Sequence, residues 1–232
     1  MRNPQLRQRY CGIILPMKSS RTDWSSAARI RNDAEKGSGA VVADIDILLQ
    51  RATAGDVTAA WQYGYARLVG EFEHSVKGVI RCRRNRREAL KWLEYAAKNG
   101  CSGAMLELGA YWSSIGGKSA SDRRLALLRG LQWEKKAWCA GEVVAATNIA
   151  VTYSLLGEYR RSYLWLRKAY AQSPWAARLL LAEAYMKGMG VKRDIGKARR
   201  LCEELLHDDM ASECERESAF EYLKRLSYAQ SE

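Results

Sequence analysis

The segment Glu88-Ala-Leu-Lys-Trp-Leu-Glu-Tyr-Ala-Ala-Lys-Asn-Gly100 recurs as Arg129-Gly-Leu-Gln-Trp-Glu-Lys-Lys-Ala-Trp-Cys-Ala-Gly141 and again as Arg161-Ser-Tyr-Leu-Trp-Leu-Arg-Lys-Ala-Tyr-Ala-Gln-Ser173. Trp92, Trp133 and Trp165 coincide, a small residue (Ala89, Gly130, Ser162) precedes each by three positions, and alanine (Ala96, Ala137, Ala169) follows by four. Ala198 and Leu201 begin a fourth, more divergent copy. Small, large and small at i, i+3 and i+7 share one helical face. Self-similarity on this scale marks a repeat architecture.

Upstream of each copy runs a second pattern. Gly64, Gly109, Ala150 and Ala182 are small, as are Ala59, Ala104, Ala145 and Ala177 five positions before them, and Arg67, Trp112, Tyr153 and Tyr185 stand three after. Small residues let a neighbouring helix backbone approach closely. The unit is therefore a helical hairpin. From Trp92 to Trp133, Trp165 and Leu201 the intervals are 41, 32 and 36 residues, so the length variation falls in the turns.

The last of these turns, Ala182-Glu-Ala-Tyr-Met-Lys-Gly-Met-Gly-Val-Lys-Arg-Asp-Ile-Gly-Lys-Ala198, resembles the Tyr-x-x-Gly-x-Gly-Val-x-x-Asp-x-x-Lys-Ala turn of the Sel-one-like repeat (SLR) family, a relative of the tetratricopeptide repeat. Gly188 and Gly190 suit a left-handed turn, Val191 can plug the groove between the helices, and Asp194 is placed to cap the second helix. The first repeat departs from the pattern, inserting three residues between Gly78-Val79 and its cap Asn85; the second lengthens its turn through Gly116 to Ser119; the third shortens it to Gly157-Glu158. The resemblance covers about residues 56–207. It implies an all-α fold, a right-handed α–α superhelix (solenoid) of about four Sel-one-like or tetratricopeptide-like hairpins with capping helices. It also implies adaptor or assembly roles, common in bacterial proteins, and supplies no catalytic residues.

Around the hairpins at about 56–100, 101–141, 142–173 and 174–209, Val41, Ile45, Leu48, Leu49 and Ala52 predict an amphipathic helix ending before Gly55. Phe220, Leu223 and Leu226 predict a capping helix over 212–228. The solenoid is thus expected over 40–228, behind a basic, largely irregular tail, 1–39, with a short helix near Asp23 to Ala34.

Composition narrows the chemistry. The chain has 232 residues, 38 Lys+Arg against 26 Asp+Glu, net charge +12 and only two histidines. His74 and His207 leave no material for a metal site or a His-dependent nucleophile, so no catalytic residue, metal or cofactor is expected. Six cysteines without a CxxC pair or paired spacing read as free thiols. The longest uncharged N-terminal stretch, Tyr10 to Met17, is far below the roughly 20 residues a membrane span needs, and no signal-peptide cleavage pattern follows it. A cytoplasmic location is the resulting expectation.

The charge is patterned. Arg83, Arg84, Arg86 and Arg87, then Arg123 and Arg124, Arg160 and Arg161, and Lys192 and Arg193 fall before or at the start of the second helix of each hairpin, and equivalent turns of a repeat predict a basic ridge. Trp61, Trp138 and Trp175 fall outside the recurrent tryptophan positions and are candidates for a contact surface. Residues 203–221 hold eight Asp/Glu and one Arg. The expectation is a non-enzymatic scaffold or adaptor holding a protein or peptide partner with an acidic surface; a sharper version is an immunity protein neutralising a bacterial toxin. The alternative is RNA binding through the ridge.

Overall fold

The computed structural model describes the backbone of residues 45–228 except 75–77, 116, 118, 173, 209, 210 and 212, with side chains except in 71–81, 174–176, 214, 215, 227 and 228. The expected tail 1–39, its helix near Asp23 and Val41 lie outside the described residues. The chain divides into two compact units between Ser114 and Ile115.

In the first unit, α1 (Ile45–Thr53), α2 (Val57–Val69), α3 (Arg86–Lys98) and α4 (Ser102–Ser114) follow one another, each packed on the next, with strands β1 (Glu71–His74) and β2 (Gly78–Arg81) between α2 and α3. The second holds α5 (Ala120–Cys139), α6 (Ala145–Leu155), α7 (Tyr159–Gln172), α8 (Pro174–Lys187), α9 (Ile195–Leu206) and α10 (Glu213–Tyr228). Here too consecutive helices pack together, and α10 also reaches α8. The fold class is all-α, of the helical-hairpin repeat kind.

The small-residue stripes form the helix contacts. Ala59, Ala104, Ala145 and Ala177 are 0% exposed, as are Ala89, Ala96 and Ala137. Gly64 shows why size matters: a Cβ there would sit 2.9 Å from the Leu93 Cγ and 3.1 Å from the Ala89 carbonyl oxygen. The missing side chain at Gly64, facing the alanine at 89, lets α2 and α3 close to that distance, and Leu93, itself fully buried, fills the space beside them.

Polar caps end the helices. Asp56, Asn85, Ser119 and Asp194 each accept a backbone N–H three residues on, from Ala59, Glu88, Asp122 and Lys197, and Ser119 with Asp122 completes a capping box. The first-repeat turn, which departs from the family pattern in sequence, departs from it in structure too. It forms an antiparallel ribbon, Glu71 opposite Arg81 and His74 opposite Gly78. Gly70 ends α2 in the left-handed region (φ 82°), and the run Phe72, Val79, Ile80 favours extended backbone over another helical turn. The ribbon closes where Cys82 N–H donates to the Gly70 carbonyl and Asn85 N–H to that of Arg67.

On α10, Ala219, Tyr222, Leu223 and Leu226 face the body, but Phe220, expected among them, is 61% exposed. The spacing 219, 222, 223, 226 is the i, i+3, i+4, i+7 stripe, and 220 falls off it. Cys82, Cys101, Cys139 and Cys202 are free thiols; Cys139 is exposed rather than buried, and burial pushes the Cys202 thiol up to about 11. Among the described residues no helix is long and apolar enough to cross a membrane.

The turn before α9 separates two glycine constraints. Gly188 (φ 70°) and Gly190 (φ 73°) both need the left-handed region, but a Cβ at Gly188 would meet nothing nearer than 3.5 Å, while one at Gly190 would lie 2.1 Å from the Tyr159 carbonyl oxygen. Gly188→Ala should therefore cost only the left-handed penalty, about 1–2 kcal/mol. Gly190→Ala should cost about 1–3 kcal/mol more, because backbone must move. Urea unfolding of the two variants measures the difference; equal losses would remove the close approach.

Candidate interaction surface

Each group of turn cations starts at a hairpin's second helix, and two of them are committed to the fold. Arg84 Nε donates to the Val69 carbonyl oxygen (2.5 Å) and Arg193 Nε to that of Met186 (3.2 Å). Both arginines immediately precede an N-cap, Asn85 or Asp194, and reach back to satisfy carbonyls at the end of the preceding helix. Arg84 also lies over Gly70, where a Cβ would come within 2.5 Å of its Cγ. Arg161 pairs with Glu158 and lies over the Tyr153 ring (5.8 Å). Arg83, Arg86, Arg87, Arg123, Arg124, Arg160 and Lys192 are exposed. The first three belong to the first unit and the other four to the second.

The tryptophans sort by packing. Trp92 meets Tyr63 and Tyr95 edge to face, both at 5.9 Å. Trp138, expected on a contact surface, lies edge to face with Trp165 (5.6 Å), and the pair rests on the core of α5, α6 and α7. Trp61 is half-buried; its ring fills the space where a Gly103 Cβ would be, 2.8 Å away, and its buried indole N–H has no hydrogen-bond acceptor. The side chain of Trp175 lies outside the described residues.

A third set of cations stands on the helix faces, which the turn-centred reading passed over. Counting from the recurrent tryptophan, positions +2 and +3 are Lys135 and Lys136 on α5 and Arg167 and Lys168 on α7, all exposed. Lys136 lies 4.3 Å from the Trp133 ring centroid and Lys168 4.2 Å from that of Trp165. These i, i+3 pairs rest each ammonium on an indole face. Apolar side chains stand among them: Leu125 and Leu128 on α5 and Leu164 on α7 are 59%, 36% and 50% exposed. Along α7 itself, Arg161, Leu164, Trp165, Arg167, Lys168 and Ala171 line a shallow open groove of about 450 Å³. The whole of α7, YRRSYLWLRKAYAQ, holds no acidic residue. On α9 the corresponding pair, counted from Leu201, is Glu203 and Glu204, also exposed. The signal was in the aligned repeats, as two cations after each of two tryptophans, but alignment alone does not say which face of the helix is solvated.

Comparison with known proteins supports the fold. No protein-family model and no curated protein matches the chain. Among solved structures it is similar to a Sel1 repeat protein from Oxalobacter formigenes, at 22% identity and a TM-score of 0.55 over 69% of this chain. A second match is a protective antigen of uropathogenic Escherichia coli displaying an SLR fold, at 19% identity and a TM-score of 0.38 over 95% of this chain. The matched region spans 60% of the length of each of these two proteins.

The first unit carries a strongly perturbed carboxyl. Burial pushes Glu107, on α4, up to about 8, and its neighbour Tyr65, on α2, is pushed up to about 12 by burial first and by the Glu107 charge second. A raised acid pKa means that the folded chain holds the proton more tightly than the unfolded chain. The stabilisation is therefore fully present below the ordinary value of 4.5 and is lost as pH rises towards 8. The urea midpoint of the wild type should fall from pH 5 to pH 8.5, and Glu107→Gln should flatten that slope and lie above wild type at the alkaline end. Parallel slopes would place the carboxyl in water.

Proposed function

From a Sel-one-like repeat fold, we propose that this chain is a non-enzymatic protein-interaction scaffold whose helices α5 and α7 take an acidic, partly apolar surface of a protein partner. The observation that carries the reading is the mixture on those faces: exposed leucines set among Lys135, Lys136, Arg167 and Lys168. Long-range attraction between opposite charges speeds encounter, while buried apolar and Arg anchors hold the complex. Arg123, Arg124, Arg160 and Lys192 extend the positive field, and Arg83, Arg86 and Arg87 supply a separate basic group in the first unit. An immunity protein that neutralises a toxin is one case of this scaffold, with the toxin supplying the acidic surface.

Nucleic acid is the competing partner, because the same cations attract phosphates. Two features favour protein. The outer faces of Trp133 and Trp165, which a base would stack on, already carry Lys136 and Lys168. The three exposed leucines have no counterpart in a phosphate backbone.

The variant Leu164→Gln/Arg167→Gln/Lys168→Gln keeps helix-compatible residues at exposed sites and tests the reading. In pull-down from native lysate, wild-type protein should retain a discrete protein after nuclease treatment, and the variant should bind that purified partner at least about tenfold more weakly. Loss of all recovery with nuclease would replace the scaffold reading with RNA binding. Equal affinity of variant and wild type would remove α7 from the interface.

A further inference from the structure

The second unit carries both halves of a charge-complementary contact. Its α5 and α7 present Lys135, Lys136, Arg167 and Lys168, whereas at the equivalent register α9 presents Glu203 and Glu204. The acidic character continues through the corner from α9 into the start of α10: residues 203–221 hold eight Asp/Glu and one Arg, and Glu213, Glu217 and Glu221 are exposed at i, i+4 and i+8, with exposed Arg216 between them and exposed Lys224 and Arg225 one turn further on. Beside them stands Phe220, 61% exposed and the most exposed large apolar side chain among the described residues. The corner where α9 meets α10 is thus predominantly acidic, with a projecting aromatic ring at its edge. The other face is basic with a projecting leucine and an open groove beside Trp165.

We infer that a second copy of this chain docks its acidic C-terminal end, with Glu213, Glu217 and Phe220, on the basic α7 groove at Leu164, Arg167 and Lys168, so that molecules join head to tail. The inference rests on the reading of α7 as the contact surface for an acidic partner, and names that partner. Within one molecule α7 reaches the acidic end only where the Tyr170 hydroxyl donates to Glu204 (3.4 Å); the surfaces at Leu164, Arg167 and Lys168 and at Glu213, Glu217 and Phe220 stand on helices that do not pack together, since α10 packs on α9 and α8 while α7 packs on α6 and α8. The chain's own N-terminal segment makes a poor occupant of the groove, since residues 1–38 carry eight Lys/Arg against three Asp/Glu and would be repelled from α7. The acidic end meets both requirements of the groove, negative charge for Arg167 and Lys168 and an apolar group for Leu164. Joined head to tail, the contact is heterologous and each molecule keeps one free half, so growth is limited only by closure, into a ring or into a two-fold pair that forms both contacts at once.

Sedimentation velocity of the full chain tests this, from low micromolar to several hundred micromolar, at about 0.05 and 0.5 M salt. The wild type should self-associate with concentration and dissociate at high salt. Arg167→Glu/Lys168→Glu and Glu213→Lys/Glu217→Lys should each weaken self-association by at least about tenfold, since each leaves two surfaces of like charge. Mixed together, the two variants should form a 1:1 complex, because each supplies the sign the other lacks. Circular dichroism melting of each variant establishes that it is folded; should a reversal unfold the chain, Phe220→Ser and Leu164→Gln, both at exposed positions, probe the same contact. A wild type that stays monomeric throughout, association unchanged by the reversals, or folded variants that do not combine would each overturn the inference. The scaffold reading is judged separately: the α10 reversal leaves α7 intact, so capture of an acidic partner by that variant stands whether or not copies associate.

Discussion

The close approach of helix backbones is the constraint on which the rest of the structure depends. Gly64 admits α3 to within a distance that excludes even a methyl group without adjustment, the corresponding Ala150 and Ala182 are buried as well, and the fully buried alanines at 59, 89, 96, 104, 137, 145 and 177 line the other helix contacts. With little side-chain volume between the helices, large residues are displaced to the flanks of each contact. Leu93, Leu108, Ile149, Leu205 and Leu226 fill those flanks and are buried almost completely. Interior packing at this density penalises both added and removed methylenes, so the alternation of small and large is maintained copy after copy.

That packing decides which charges are free. An arginine just before an N-cap comes within reach of the last carbonyls of the preceding helix, as Arg84 and Arg193 show, and its charge then serves the fold as a C-cap. Cations two and three residues after the anchoring tryptophan are carried round the helix to the solvated side. Those at the third position, Lys136 and Lys168, rest on the indole faces of Trp133 and Trp165 and keep their charge in water. The tryptophan therefore has two roles: one edge packs inward, as Trp165 does on Trp138, and one face supports a lysine.

Buried polar groups tell a similar story. Glu134 is 1% exposed and accepts a hydrogen bond from Thr152, and Glu183, 4% exposed, pairs with Lys187. Arg178 holds Asp208 at 2.6 Å beyond the end of α9. Each ties neighbouring turns or helices together, and none forms a cluster with the composition of a metal site among the described residues. At Glu107 the environment favours the proton over the charge.

The recurrence of Trp92, Trp133 and Trp165 with small residues at −3 and +4 was enough to specify helical hairpins, since a 3.6-residue period and a repeat length are properties of the chain alone. The caps Asn85 and Asp194 were legible for the same reason: capping is local chemistry between residues three apart. Three features were decided only in the tertiary structure. The ribbon of β1 and β2 formed because a glycine stopped α2 and the inserted residues could pair with each other, a choice that depends on where α2 ends and α3 begins. Phe220 turned outward because the stripe through Ala219 and Leu226 docks on α9, and one residue's shift is 100° around a helix. The split between capping arginines and solvent-facing cations follows from how far each side chain stands from a neighbouring helix end, a distance that exists only once the hairpins have closed.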